Sequence, residues 1–531
     1  MATILNDDVL YEICRACPAS TLVKLSLVST TFYTMAMPNL LRNVEFYRDL
    51  VMLLRFIHFI LHNSTVVSEI PGQQVGGMQR FSIANPGNHV YKFEMDSGME
   101  NDEADTSSDC PIGEWAPLLA KAILLMPNLR SVVILCRFSR ICRYSSQFAE
   151  ALLSRPHLTS LEVDGFGATA SRHVGEIVKS KRCGALRLKY ICFNDWFTLD
   201  GWEDAALLKD DGFGSLIYSC RKTLERLALG ECDMKNLLVG PQVVPDGLTG
   251  GSMKPIIYPL VDKIHLSGHL YVTVEEFALS FPSLRSLHLG NSSFVQQNSG
   301  QDRKVPFRNL VSVDTNLRIL PSFLECIEPL PSLRRLTVSG SWRGHSNGGF
   351  SATHSVLTVF QNLRSIHVRV DEIADVDPWI AMSKHLSSLR YLKLDYSLRF
   401  EPDEKEQILN IINPEPLSSI SVEYISLAYT LRKHTPEDEN PVSDEIAALL
   451  YARKIKSLRF IDVSKKFYRK DLDFGGLVLL KETHWWKINR RVSSDDVENV
   501  ELENLRETTG AMARDTYDES EGIPKECWHE F

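Results

Sequence analysis

Hydrophobic positions in this chain recur as Leu-x-x-Leu-x-Leu, with aliphatic substitutions, along most of its length. Clear copies are Leu129-Val132-Ile134, Leu158-Leu161-Val163, Leu188-Ile191-Phe193, Leu224-Leu227-Leu229, Val261-Ile264-Leu266 and Leu284-Leu287-Leu289. They continue as Leu333-Leu336-Val338, Leu363-Ile366-Val368, Leu389-Leu392-Leu394, Val422-Ile425-Leu427 and Leu458-Ile461-Val463. Leu310-Val313 is a half copy, because Thr315 stands where the last aliphatic belongs, and weaker copies lie upstream at Leu41-Val44-Phe46 and Val90-Phe93-Met95. From Leu129 to Leu458 the spacing averages near 30 residues, with steps from 23 to 37.

Each x-L-x-L tail alternates with period two, which predicts a strand with one buried face. Helix-length stretches lie between the tails, among them QFAEALLSRP, SRHVGEIVKSK, VEEFALSFP, WIAMSKHL, EKEQILNIIN and SDEIAALLYARK. Pro or Asn often stops the helix before the next strand, as in FPSL, LPSL and FQNL. Strand, turn, helix, turn, strand in one direction builds a parallel sheet with helices on one side. Each unit buries its Leu face only against its neighbours, so the expected fold class is α/β, a curved solenoid with an exposed concave sheet and outer helices. A doubly wound α/β domain is the competing architecture; it predicts fewer, longer apolar strands and a phosphate-binding loop.

These repeats resemble leucine-rich-repeat proteins of the ribonuclease-inhibitor-like, α/β horseshoe kind, over about residues 90–480. The resemblance implies a fold and says little of function, since one fold hosts many functions.

The first 46 residues follow another rule. Asn6 or Asp7 can cap a first helix carrying Val9, Leu10 and Ile13 on one face, and Pro18 breaks it. Ser20 or Thr21 can cap a second with Leu22, Leu25, Val28 and Phe32, and Pro38 breaks again before Leu40, Leu41 and Val44. A piece this short is near the lower limit for folding alone, so some of its aliphatics are expected to face a partner or the next domain. The stretch resembles an F-box, the adaptor-binding module of SCF-type ubiquitin ligases. Leu5, Asp7, Asp8, Leu10, Ile13, Leu22, Leu25, Val28, Ser29 and Phe32 fall on the family pattern, while Asn6 stands where the family usually has Pro and Phe32 where Trp is common. The resemblance implies docking to a Skp-family adaptor, and through it to a cullin-RING ligase, by Leu5, Asn6, Val9, Leu10, Ile13, Leu22, Leu25, Val28 and Phe32. A helical cap on the first repeat is the plainer alternative.

Little catalytic chemistry is legible. Cys14 and Cys17 form a CxxC with no second pair at zinc-site spacing, and on a helix they read as small hydrophobes. Gly165-Phe-Gly-Ala-Thr-Ala170 matches GxGxxA but has no acidic residue at the expected distance, so a turn between repeats is the simpler reading. His265 and His269 straddle a strand end at Gly268, where their rings should diverge. No GxSxG, HExxH, P-loop or kinase set occurs. No enzyme activity, cofactor or metal is expected.

The chain has 531 residues, a formal charge of −9 and 44% hydrophobic residues, the composition of a globular protein with a large core. MATILNDDVLYE lacks a basic n-region, so no secretory signal is expected, and the eleven Cys are expected to be reduced and the protein intracellular, cytoplasmic or nuclear. The most apolar run, Val51–Leu61, is 11 residues long and is expected to be a buried or interface helix, since a membrane span needs about 20. The charge is uneven: residues 495–531 carry 12 acids and 3 basic residues, and residues 94–109 carry 7 acids and no Lys or Arg. Both stretches read as disordered or solvating. The expected domains are therefore a helical module (1–46), a repeat domain (47–480, with an acidic insertion at about 94–110) and an acidic tail (481–531). What remains carries +7.

The residues between the repeated aliphatics face the concave surface and stack into ladders. Lys263 and His265, His288, Arg335, His367 with Arg369, and Tyr391 with Lys393 are the candidate binding residues. A ladder of like charges is mildly destabilising, which an anionic partner, an acidic or phosphorylated protein segment, would explain; a solvated Lys/Arg-rich edge is the plainer alternative, and no nucleic-acid or membrane partner is expected. The padding loops at 233–254 and 341–355, with Trp342, are further candidate contacts. The functional expectation is a non-catalytic substrate receptor of a ubiquitin ligase. The alternatives are a non-ligase scaffold, its helices serving only as a cap, and a small-molecule-gated receptor. A further alternative is that the acidic tail, or the acidic stretch at 94–109, screens the concave face until a target displaces it.

Overall fold

The computed structural model describes residues 7–47, 50–65, 86–96, 112–180, 186–193, 211–230, 235–238, 255–267, 272–290, 294, 304–316, 319–339, 362–370, 386–400, 414–418, 420–431, 444–470, 477–492 and 498–518. The chain is mixed α/β and forms two compact units, one of Met1–Val272 with Leu279–Ser283 and one of Thr273–Ala278 with Leu284–Phe531.

The first unit opens with three helices, α1 (Asp7–Ala16), α2 (Ala19–Ser26) and α3 (Thr30–Leu40). Its seven described strands are β1 (Asn43–Tyr47), β2 (Lys92–Asp96), β3 (Ser131–Arg137), β4 (Ser160–Asp164), β5 (Tyr190–Phe193), β6 (Arg226–Leu229) and β7 (Lys263–Leu266). They pair in chain order, each parallel to the next. Between them lie α4 (Leu50–Thr65), α5 (Ile112–Leu124), α6 (Phe138–Tyr144), α7 (Ser146–Leu153), α8 (Ala168–Lys179), α9 (Asp211–Cys220) and α10 (Lys235–Leu238).

The repeated aliphatics set the register. Val44, Phe93, Val132, Leu161, Ile191, Leu227 and Ile264 stand side by side across the seven strands, and all but the half-buried Val44 are buried. The apolar run at 51–61 lies in α4, where Leu53, Phe56, Ile57 and Ile60 recur at helical spacing and are buried. Phe56 meets Phe46 of β1 at 5.2 Å and Phe93 of β2 at 6.3 Å between ring centroids, tying helix to sheet. Gly165, at φ 61°, makes the turn from β4 to α8, with its N–H donated to the Asp164 carboxylate at 2.9 Å. The GxGxxA stretch is thus a repeat turn whose first glycine takes the left-handed conformation L-residues avoid.

The second unit contains β8 (Ser286–Leu289), β9 (Ser312–Asn316), β10 (Arg335–Ser339), β11 (Ser365–Val370), β12 (Tyr391–Phe400), β13 (Tyr424–Leu431), β14 (Phe460–Lys470), β15 (Leu477–Val492) and β16 (Glu498–Leu505). Leu287, Val313, Leu336, Ile366, Leu392, Ile425 and Ile461 form its central aliphatic row, all buried. Its described helices are α12 (Leu320–Glu325), α13 (Asp444–Lys454) and α14 (Glu507–Asp518), while α11 (Val274–Ser280) contributes residues to both units. The helix-packed side is the back of the sheet; there Arg490 of β15 donates to Ala452 O and Ile455 O of α13, both at 2.7 Å.

The structure corrects four expectations. β8 to β14 are parallel, but β15 runs antiparallel to β14, and β16 antiparallel to β15. The acidic 481–531 segment, expected as a disordered tail beyond a repeat domain ending at 480, contains most of β15, all of β16 and α14. Its acids find partners on β15: Glu503 accepts from Lys487 at 3.3 Å and Asn489 at 3.1 Å, and Glu501 pairs with Arg491 at 3.6 Å. Of the acidic stretch at 94–110, Glu94 and Asp96 belong to β2, and Glu94 is buried on Lys92 at 2.8 Å; residues 97–110 lie outside the described ones. Finally, Pro38 sits in the last turn of α3 without ending it, and Ser20 and Thr21 lie inside α2, whose cap position is Pro18. No described helix is long and apolar enough to cross a membrane.

Candidate functional site

Two surfaces collect the residues that the sequence singled out. The first is the helical trio. Leu10, Cys14 and Cys17 recur at i, i+4 and i+7, placing them on one face of α1. Cys14 is fully buried with Leu22 and Ala36, and Cys17, Leu25, Phe32, Met35 and Leu40 pack around them. Burial raises the Cys14 thiol pKa above its ordinary value, which suits a small core hydrophobe. Ser29 caps α3, its Oγ accepting from Phe32 N at 3.3 Å. The expected grouping of Val9, Leu10 and Ile13 on one face is corrected: Leu10 is half-buried, while Val9 and Ile13 point outward. Together with Tyr11, Val23, Leu27 and Val28 they form an exposed apolar set on α1 and α2 and the turn after it, Leu27 being 82% exposed. Of the nine expected adaptor contacts, Val9, Ile13 and Val28 are therefore accessible, Leu22 is core, Leu10, Leu25 and Phe32 are intermediate, and Leu5 and Asn6 lie outside the described residues.

The second surface is the front of the second unit's sheet, opposite α13. Strand register builds two rows there. One runs Ser312, Arg335, Ser365, Tyr391, Tyr424, Phe460; the other runs His288, Asp314, Thr337, His367, Lys393, Ser426, Asp462. Arg335, His367, Arg369, Tyr391 and Lys393, picked from spacing alone, thus come together on three adjacent strands. His288 lies apart on β8, its Nδ1 2.9 Å from Asp314. Lys263 and His265 are half-buried on β7 of the first unit. Most of the loops at 233–254 and 341–355 lie outside the described residues.

This front face is covered where it was expected to be open. Tyr391 is 0% and Tyr424 1% exposed, although both stand between the repeated aliphatics. The cover is α14. Asp518 accepts from Ser365 Oγ at 3.1 Å and pairs with Arg335 at 3.4 Å. The Tyr517 ring lies 5.7 Å from Tyr424 and 5.8 Å from Phe460, and its hydroxyl donates to Glu423 at 3.1 Å. At the other end, a Cβ added to Gly510 would fall 2.2 Å from the Trp485 ring, so α14 approaches β15 at a distance only glycine permits.

Charge under and beside α14 is predominantly positive. Burial holds His367 well below its usual imidazole range, reinforced by Lys393, Arg335, Lys466 and Arg369. Desolvation also lowers Lys393 and Lys481. Lys466 pairs with Asp395 at 3.2 Å. Asp462, fully buried, accepts from Tyr424 Oη and Ser426 Oγ, both at 2.8 Å, and its carboxyl is raised by burial despite these bonds and nearby Arg514. Arg335 Nε and His367 Nε2 are shut off from solvent with no hydrogen-bond partner among the described residues. Arg335, Ser365 and Lys393 thus stand on one face of the sheet beside the stacked rings of Tyr424 and Phe460.

Sequence reasoning missed Tyr424, Ser426 and Asp462, although they occupy the same positions between aliphatics as the residues it chose, and Lys466, which lies beyond its repeat. It missed Gly510, Arg514, Tyr517 and Asp518 because no periodicity in the acidic tail announces which sheet it packs on. No protein-family model matches this chain, and no curated protein matches it.

Proposed function

We propose that this chain is the target-recognition subunit of an SCF-type ubiquitin ligase, an F-box followed by a leucine-rich-repeat horseshoe. Its first three helices dock a Skp-family adaptor, and its concave sheet holds a target protein. The chain makes and breaks no bond itself; it acts by proximity, raising the effective concentration of target near the ligase's ubiquitin-loading end. The observation that carries this reading is the exposed apolar set Val9, Tyr11, Ile13, Val23, Leu27 and Val28 on a helical trio that packs its own core around Cys14, Leu22 and Ala36. Val9 and Ile13 stand one turn apart on α1, and none of the six is buried by the described residues; exposed apolar surface of this kind marks an interaction site. The cation-rich concave face supports an acidic or phosphorylated target.

Co-purification with a Skp-family adaptor tests it. The wild-type chain should capture the adaptor, and Val9→Asp or Val28→Asp should lower capture at least tenfold while far-ultraviolet circular dichroism stays unchanged, since both side chains are outside the core. No capture by the wild-type chain would sink the ligase reading and leave the helices as a cap on the first repeat.

A further inference from the structure

We propose that α14 is an internal stand-in for the target: it occupies the concave recognition surface, and an external acidic segment bearing an aromatic residue next to a carboxylate binds by replacing it. This rests on reading the concave face as a recognition surface, and is independent of adaptor docking.

The contacts define the chemistry recognised. Asp518 supplies a carboxylate to Arg335 and Ser365, and the adjacent Tyr517 lays its ring against the stacked Tyr424–Phe460 pair. These are the features an acidic peptide would present: a charge-assisted hydrogen bond that fixes register and an aromatic anchor that supplies apolar area. With α14 lifted away, the sheet itself presents Arg335, Arg369, Lys393, Lys466 and Lys481 against Asp314, Asp395 and Asp462, a surplus of two positive charges. An anionic partner is therefore the one this surface fits.

The same contacts make α14 exchangeable. It is 12 residues long, a length at which a helix in water is marginal without tertiary support. Its apolar content is low, and Met512 is 72% exposed. It is held by Gly510 against Trp485, by Arg514 near the buried Asp462, and by Tyr517–Asp518 on the cationic face. Removing either end leaves the sheet's own row of buried aliphatics untouched.

The test uses the full chain and a fluorescein-labelled peptide of residues 507–518, ETTGAMARDTYD. Gly510→Val should drive α14 off Trp485. Tyr517→Ala/Asp518→Asn should release the other end by deletion instead of collision, and so keeps the experiment informative if Gly510→Val does not fold. In either variant the α14 amides should exchange hydrogen faster while those of β12 to β14 stay protected. Peptide affinity should then rise at least tenfold over wild type, fall with added salt, and drop at least tenfold when Arg335→Glu is added. A peptide carrying the Tyr-to-Ala and Asp-to-Asn changes should not bind. Equal peptide affinity in wild type and in a released variant would overturn the proposal, as would insensitivity to Arg335→Glu. Neither result bears on adaptor capture, so the two readings fail separately.

Discussion

His367 and Thr315 show how single positions on these strands depart from the pattern around them. His367 faces the cationic cluster, and desolvation with its four basic neighbours holds it neutral in the folded chain. Its folded pKa is depressed, so its stabilising contribution is present above the ordinary imidazole value of 6.5 and is lost as pH falls toward the folded value, because the unfolded chain binds a proton that the folded chain refuses. Chemical denaturation at a series of pH values should show wild type losing stability below about pH 6.5 more steeply than His367→Gln. Thr315 takes the place of an aliphatic in β9; it is 1% exposed, and its hydroxyl has no partner among the described residues. An unsatisfied buried polar group costs about 1–3 kcal/mol. Thr315→Val keeps the shape and removes the hydroxyl, so the denaturant midpoint should rise by the equivalent of about 1–2 kcal/mol. The repeat pattern made Thr315 visible as a defect; only its burial showed that the defect is uncompensated.

At the scale of elements, periodicity told strands and helices apart well wherever one face was apolar. β6 to β10 alternate half-buried and buried residues as the x-L-x-L spacing requires. The segments predicted as helices at 147–156, 171–181, 274–282 and 443–454 coincide with α7, α8, α11 and α13, whereas those at 379–386, but for Leu386, and 404–413 lie outside the described residues. The acidic tail was misjudged because its charges were summed along the chain. On β15 and β16, cross-strand pairing brings Lys487 opposite Glu503, and Trp485 and Trp486 bury against the sheet. Composition averages over a strand that is basic and one that is acidic, whereas pairing neutralises them residue by residue.

At the scale of the whole chain, each unit is a row of strands in chain order, and stability in such a row is carried by contacts between neighbours. Ile366 lies between Leu336 and Leu392 and is fully buried. Ile366→Ala should cost about 2–5 kcal/mol. Hydrogen exchange should locate the loss, with amides of β10 to β12 losing most protection and those of β15 and β16 least. Uniform loss across the second unit would mean that it unfolds as a single cooperative block.

Sequence by itself determined the repeated strands, their common register, the helical start of the chain and the gathering of Arg335, His367, Arg369, Tyr391 and Lys393 on one face. All of these follow from spacing, because the period of apolar residues fixes which side of a strand or helix is buried. Tertiary structure alone decided what that face meets. Ser365 and Asp518 are 153 positions apart, yet their side chains bond at 3.1 Å. Periodicity records that a residue is buried but not by what, and a short polar helix such as α14 gains its place from the sheet it covers, so its position could be decided only when the whole second unit had folded.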